Sequence, residues 1–273
     1  MKYYSTVQEV RNYTGTKYDD LALNSDTDLN TLIENYLKQI KSLIDQNRGR
    51  DLEKDLNFGD KNIIVPAEKQ WSGEGEQIYD KDLFPKGDYL CVNYITLSED
   101  DEIKSIIDED LSKAKVIGLI INPNDNLSSG DLQIKLYTDS SGTTEKKSIN
   151  LRAVDGWEWV RCVHYLNDLT LASIKCIGIK ATTDITLYLA EVYVLELPQG
   201  IHNIAMRACA NMVKLAYANR ESPVITIDDM NAQLIKDEIL TPELRKELSI
   251  YKKKANFGIG IVEGKIYVED DND

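Results

Sequence analysis

Ile185-Thr186-Leu187-Tyr188-Leu189-Ala190-Glu191-Val192-Tyr193-Val194-Leu195-Glu196-Leu197-Pro198-Gln199-Gly200-Ile201-His202-Asn203-Ile204-Ala205 is the stretch on which the fold turns. Up to Leu195 it is a run of β-branched, leucine and tyrosine residues, the composition of a strand. After Leu197-Pro198 the apolar repeat lengthens. Ile201, Ile204, Ala205, Ala208, Met212, Leu215 and Ala216 step by 3, 1, 3, 4, 3 and 1 and so share one face of a helix. Proline suits the first turn of that helix, where an amide proton would have no partner anyway. The alanines on the face let a neighbour approach closely. A lone amphipathic helix of this length is marginal in water, so it requires a partner.

The partner the sequence offers lies at the other end of the chain. Asp26-Thr27-Asp28 provides an N-cap, followed by Leu29, Leu32, Ile33, Tyr36, Leu37, Ile40, Leu43 and Ile44 at helical spacing, with Gly49 as the stop. Ahead of it, Thr6-Val7-Gln8-Glu9 is a capping box and Gly15 a left-handed terminator. Near the other terminus, Thr241-Pro242-Glu243 reads as cap, proline and acidic first turn. The helix it opens carries Leu244, Leu248 and Tyr251, then Lys252-Lys253-Lys254 against the negative end of the dipole. These patterns predict a discontinuous α-helical bundle built from residues 1–58 and 198–258.

Between the two halves the period shortens. Apolar or alternating runs at 63–65, 89–92, 116–121, 132–137, 157–163, 174–179 and 185–195 are divided by turn clusters such as Asn122-Pro123-Asn124-Asp125-Asn126 and Asp139-Ser140-Ser141-Gly142. No long helical stripe separates successive runs, which argues against a parallel α/β sheet. An antiparallel β-sandwich over residues 59–197 is expected. Ile103, Ile106, Ile107 and Leu111 fit a short helix or an edge loop. Residues 259–273 read as a β-hairpin around Glu263-Gly264 followed by an acidic tail. The fold class is therefore α+β and multidomain.

Charge narrows the function. The 32 Lys and Arg against 46 Asp and Glu give a net charge of -14, which disfavours a stable grip on nucleic-acid phosphates. Cys91, Cys162, Cys176 and Cys209 form no C-x-x-C pair and read as buried thiols. The opening residues lack the apolar core of a signal peptide and no run has the length of a membrane span, so the expectation is a product made in the cytoplasm with no membrane partner.

No catalytic motif emerges, and the chain reads as a non-enzyme. His164 and His202 are the only histidines, too few for a metal centre or a Ser-His-Asp site. Gly73-Glu74-Gly75-Glu76 and Gly258-Ile259-Gly260 lack the setting of a phosphate loop. The clusters Asp100-Asp101-Glu102 and Asp108-Glu109-Asp110 lack the ligand pattern of a calcium loop. No cofactor is expected. Trp157 and Trp159 lie two apart, which places them on one strand face, where they serve as core packing or as a sugar platform. Trp71, beside Ser72-Gly73-Glu74-Gly75, reads as an exposed loop contact, and Tyr165 joins it and Trp157 as a candidate glycan or partner contact.

Residues 6–51 resemble the opening of the tailed-phage head-tail connector family, the adaptor or head-completion proteins. The resemblance lies in Thr6-Val7-Gln8-Glu9-Val10-Arg11, Ser25-Asp26-Thr27-Asp28-Leu29, Leu32-Ile33-Glu34 and Gln46-Asn47-Arg48-Gly49-Arg50. Leu197-Pro198-Gln199-Gly200-Ile201, Ala205 to Tyr217, Arg220-Glu221-Ser222-Pro223 and Leu244 to Lys252 are similar to that family's closing helices. Where its members have a short loop, this chain has the strand-rich insertion. Gly156-Trp157-Glu158-Trp159-Val160 and residues 187–194 in turn look like a galactose-binding or carbohydrate-binding jelly roll. The first resemblance implies a structural virion protein of the neck, a homo-oligomeric and commonly dodecameric ring. It would sit between the portal and a tail or neck protein, with DNA passing transiently through an acidic channel. The second implies glycan or capsid contact through the insertion, and such domains often hold a structural calcium near the last strand, where Glu191 lies. The alternative function is a carbohydrate-binding module with helical appendages.

Overall fold

Thr6 opens the first helix, α1 (Val7–Thr14), by accepting the Glu9 amide on its hydroxyl at 3.2 Å, while the Glu9 carboxylate accepts the Thr6 amide at 2.9 Å. The computed structural model describes residues 4–49, 51, 52, 54–56, 58–80, 92–166, 168, 170–218, 238–251, 266 and 267. Gly15, at φ 66°, ends α1 in the left-handed region. A 3-10 turn (Tyr18–Leu21) leads to α2 (Asp26–Arg48). Its cap is Ser25, whose hydroxyl accepts the Asp28 amide, one residue before the aspartate expected in that role. The Asp26 and Asp28 carboxylates lie in the first turn instead, at the positive end of the helix dipole.

The stripe Leu29, Leu32, Ile33, Tyr36, Leu37, Ile40, Leu43 and Ile44 is buried along α2. It shares one core with Ile201, Ile204, Ala205, Ala208 and Met212 of α3 (Gln199–Ala218) and with Leu244 and Leu248 of α4 (Pro242–Ser249). Leu215 is partly buried against the same core. His202 of α3 is hydrogen-bonded to the Glu9 carboxylate at 2.8 Å, so the capping box of α1 also ties the first helix to the third. Tyr4 is buried with its hydroxyl donating to Asp45 and accepting the Leu52 amide at 3.1 Å, and Lys41 bridges Asp45 and Asp51 at 2.9 Å each. The chain divides into two compact units, Met1–Phe58 with Leu197–Ala255, and Gly59–Glu196 with Asn256–Asp273.

The second unit is a two-sheet sandwich. Its strands are β1 (Asp60–Val65), β2 (Ser72–Gly73), β3 (Glu76–Asp80), β4 (Val92–Leu97), β5 (Glu102–Glu109), β6 (Ala114–Pro123), β7 (Leu132–Tyr137), β8 (Glu145–Asn150), β9 (Val160–Tyr165), β10 (Ile174–Ala181), β11 (Ile185–Glu196) and β12 (Ile266–Tyr267). One sheet has the order β12-β9-β6-β11-β4-β3, with β1 also on β11, and the other β2-β5-β10-β7-β8. From β4 to β11 the chain changes sheet at every connection except the β7–β8 hairpin, the alternation of a jelly roll. Pairings are antiparallel throughout the described residues except β12 on β9.

The core lies between the sheets, where Ile117, Leu119 and Ile121 of β6 meet Ile134 and Leu136 of β7 and Ile177 and Ile179 of β10. In β11 the register against β6 shifts between Leu189 and Glu191. That bulge reverses the alternation, so Leu187 and Leu189 and then Val192 and Val194 all enter the core. It explains why the run from Ile185 to Leu195 is apolar at both parities.

One expectation is corrected. Residues 102–109 form a strand, not a helix or loop, because Ile103, Ser105 and Ile107 alternate inward along β10 while Ile106 stays exposed. At the other end, Ile266 and Tyr267 pair in parallel with Arg161 and Cys162 of β9, and the remainder of the expected hairpin and acidic tail, 259–265 and 268–273, lies outside the described residues. Among the described residues, no helix is long and apolar enough to cross a membrane.

Candidate functional site: an aromatic face on the sandwich

Alternation fixes which side chains leave the core. In β4, Ile95 and Leu97 point inward, so Tyr94 and Thr96 point outward; in β11, Leu187 and Leu189 point inward, so Thr186 and Tyr188 point outward. The β4–β11 register sets Tyr94 opposite Tyr188 and Thr96 opposite Thr186. The tyrosine ring centroids are 4.8 Å apart at 51°, and the threonine hydroxyls 3.3 Å apart. Trp159, one residue ahead of β9, brings its ring 6.3 Å from that of Tyr188. Ile120 of β6, Trp159 and Tyr188 each pack against the buried Ala67, Val92 and Ala190, and the Asn124 side-chain amide donates to the Tyr94 hydroxyl at 3.3 Å. All three rings are half-buried, so each is held by its neighbours and still open to solvent.

Beside the rings the same face closes over a charged group. Glu191 lies opposite Ile120, away from the core, yet is only 2% exposed, and its carboxylate pairs with the Lys61 ammonium. Next to it Tyr193 lies across Gly118, where any Cβ would overlap the phenol ring. Lys61 and Arg161 sit 4.9 and 5.0 Å from the Tyr193 ring centre, and the Arg161 Nε donates to the Tyr193 hydroxyl. Burial pushes the Tyr193 phenol up, against the opposing pull of Arg161. The Glu191 carboxylate is thus engaged by a lysine where the resemblance placed a calcium ligand. Among the described residues no three His, Cys, Asp or Glu side chains converge as a metal site.

The tryptophans are not where the sequence placed them. Trp71 is 4% exposed and belongs to the sandwich core, because the chain crosses from one sheet to the other between β1 and β2 and carries the ring inside. Trp157 and Trp159 do not share a strand face: β9 begins only at Val160, and Trp157 has a φ of 64° that turns the chain between them. Trp157 is 73% exposed. Tyr165 lies opposite Val116, at the far end of β6 from Asn122, which is opposite Tyr188, and is not part of the cluster. Of Trp71, Trp157 and Tyr165, none joins the ring cluster; Trp159, read with Trp157 as core packing or a sugar platform, does so with Tyr94 and Tyr188. Tyr94 and Tyr188 were marked by their alternation with core residues; what was missing was the strand order.

The turn holding Trp157 is built to keep its shape. The Trp157 amide donates to the Pro123 carbonyl at 2.7 Å and the Gly156 amide to the Asn126 side chain at 2.8 Å. Leu127 and Val154 exchange backbone hydrogen bonds of 2.8 and 2.9 Å just beyond. Gly156 is required, since a Cβ there would run into the Asp125 backbone. A left-handed backbone costs a bulky residue about 1–2 kcal/mol. Among the described residues the cysteines are buried: burial pushes the Cys162 thiol up to about 12, and likewise Cys209 in the helical unit. Cys176 is also a buried free thiol, and Cys91 lies outside the described residues.

No family model matches the chain, and no curated protein matches it. Among solved structures it is similar to the C-terminal family 22 carbohydrate-binding module of Clostridium thermocellum Xyn10B, at TM-score 0.37 and 15% identity over 51% of this chain and 92% of that one. It is also similar to a family 11 carbohydrate-binding module from Clostridium thermocellum in complex with a β-1,3-1,4-mixed-linked tetrasaccharide, at TM-score 0.37 and 10% identity over 50% and 96%. A point mutant of a family 29 carbohydrate-binding module is similar at TM-score 0.32 and 8% identity over 50% and 91%. Likeness at this level carries no argument about a site or an activity.

Proposed function

We propose that the sandwich binds a carbohydrate chain across its outer face, with Tyr94, Tyr188 and Trp159 stacking on sugar rings and Asn124, Thr96 and Thr186 bonding hydroxyl groups. The observation that carries this reading is three half-buried rings on a sheet face turned away from the core, with Tyr188 in contact with both Tyr94 and Trp159. A pyranose offers an apolar C–H face ringed by hydroxyls, and an aromatic surface edged with amide and hydroxyl groups complements both. A net charge of -14 favours a neutral chain over a polyanion. The activity is binding without catalysis and calls on no metal.

Calorimetry against soluble β-glucan, xylan and mannan tests it. A stacked ring is worth about 1.5 kcal/mol at the upper end, so Tyr188→Ala and Trp159→Ala each weaken binding about tenfold while the sandwich still melts cooperatively. If the wild-type chain binds none of the three, or if both variants bind as wild type does, the proposal is wrong.

A second reading, the phage head-tail connector, is favoured by one observation: apolar stripes from the two ends of the chain pack into one helical core. In this reading the helical unit forms a homo-oligomeric ring in the virion, on a portal protein and under a tail or neck protein, with DNA passing through it. The sandwich then reaches capsid or glycan. Mass photometry of the purified protein, alone and with a portal, tests it: a monomer that never assembles on the portal overturns it.

A further inference from the structure

We infer that Trp157 is a separate contact for the carbohydrate chain, off the end of the ring cluster and engaged only by ligands long enough to run past Trp159; this rests on the glycan reading. The first ground is cost without return inside the fold. Trp157 sits at a φ of 64°, a conformation that glycine or asparagine adopts far more readily. At 73% exposure its indole gives little to packing. A turn needing this backbone has no use for a tryptophan there, so the value of the ring lies in what it touches outside.

The second ground is rigidity. Hydrogen bonds from the amides of Gly156 and Trp157 to Asn126 and Pro123, together with the Leu127–Val154 pair, brace the turn. A contact residue presented this way loses little freedom on binding.

The third ground is position. The turn is bonded to Pro123, opposite Leu187 and one residue from Asn122, which lies opposite Tyr188; Asn124, just past the end of β6, donates to the Tyr94 hydroxyl. Two residues after Trp157, Trp159 meets Tyr188. The exposed indole therefore stands on a turn that borders the ring cluster where β6 ends.

The test is a ladder of β-linked gluco-, xylo- and mannooligosaccharides from disaccharide to hexaose, titrated into the full chain and into Trp157→Asn, which keeps a left-handed turn and removes the ring. The expected result is hexaose affinity lowered about tenfold with disaccharide affinity unchanged, and a melting temperature no lower than wild type. Tyr188→Ala weakens every length that binds, which separates the two sites. If Trp157→Asn binds every length as wild type does while Tyr188→Ala does not, this inference falls and the glycan reading stands. If the wild-type chain binds no member of the ladder, both fall. A melting temperature lowered by several degrees makes the indole a structural part of the turn and overturns the inference. Self-association that is lost in Trp157→Asn, with the ladder unaffected, makes it a protein contact and also overturns it.

Discussion

Glu9 shows how much one side chain is asked to do. Partial burial pushes its carboxyl up, but hydrogen bonds from His202 and Thr6 outweigh this and hold it down to about 2. Because the folded value lies below the ordinary one near 4.5, the unfolded chain binds the proton more readily, and the stabilisation is present above about pH 4.5 and lost as pH falls towards 2. The side chain is 40% exposed, so solvent screening limits the gain to about 1 kcal/mol. Thermal melts followed by helical circular dichroism are expected to lose stability over that interval, and Glu9→Gln to flatten the acid limb. An acid limb unchanged by the substitution would show that the His202 bond contributes nothing. Glu191 is the contrasting case: its value to the fold depends on Lys61, since a buried carboxylate without a partner is costly.

Among the strands, β11 is the one that the sandwich is organised around. It pairs with β6 on one side and with β4 and β1 in succession on the other. Its bulge sends Tyr188 to the ring cluster and Tyr193 over Gly118, on the side away from the core. Gly118→Ala is expected to displace the Tyr193 ring and destabilise the sandwich by about 1–3 kcal/mol, as overpacking does. Urea denaturation checks it, and an unchanged midpoint would mean that the ring moves aside freely. The capped helices were legible in the sequence because a capping box, a terminal glycine and a 3.6-residue stripe are local signals. β5 was not, because Ile103, Ile106, Ile107 and Leu111 fit a helical period as well as a strand, and only pairing with β10 decides between them.

Across the chain as a whole, the helical core is made of residues from both ends, with α3 packed against α1, α2 and α4. A peptide of residues 1–58 alone therefore leaves the stripe from Leu29 to Ile44 in water, and a helix so exposed is marginal. Its circular dichroism is expected to show little helix, recovered on mixing with residues 197–255; a fully helical isolated peptide would contradict this.

Spacing and composition alone establish where helix gives way to strand and back again, which helix faces are apolar, and that the chain is acidic and poor in reactive groups. These are properties of neighbours along the chain, and neighbours are what a sequence records. The site was decided only in three dimensions. Trp71, read as an exposed loop residue, is carried into the core by a sheet crossing, and Tyr94 and Tyr188, distant along the chain, meet because β4 lies against β11. Strand order and the parity change at a bulge are set by the packing of the two sheets, and no local pattern records them.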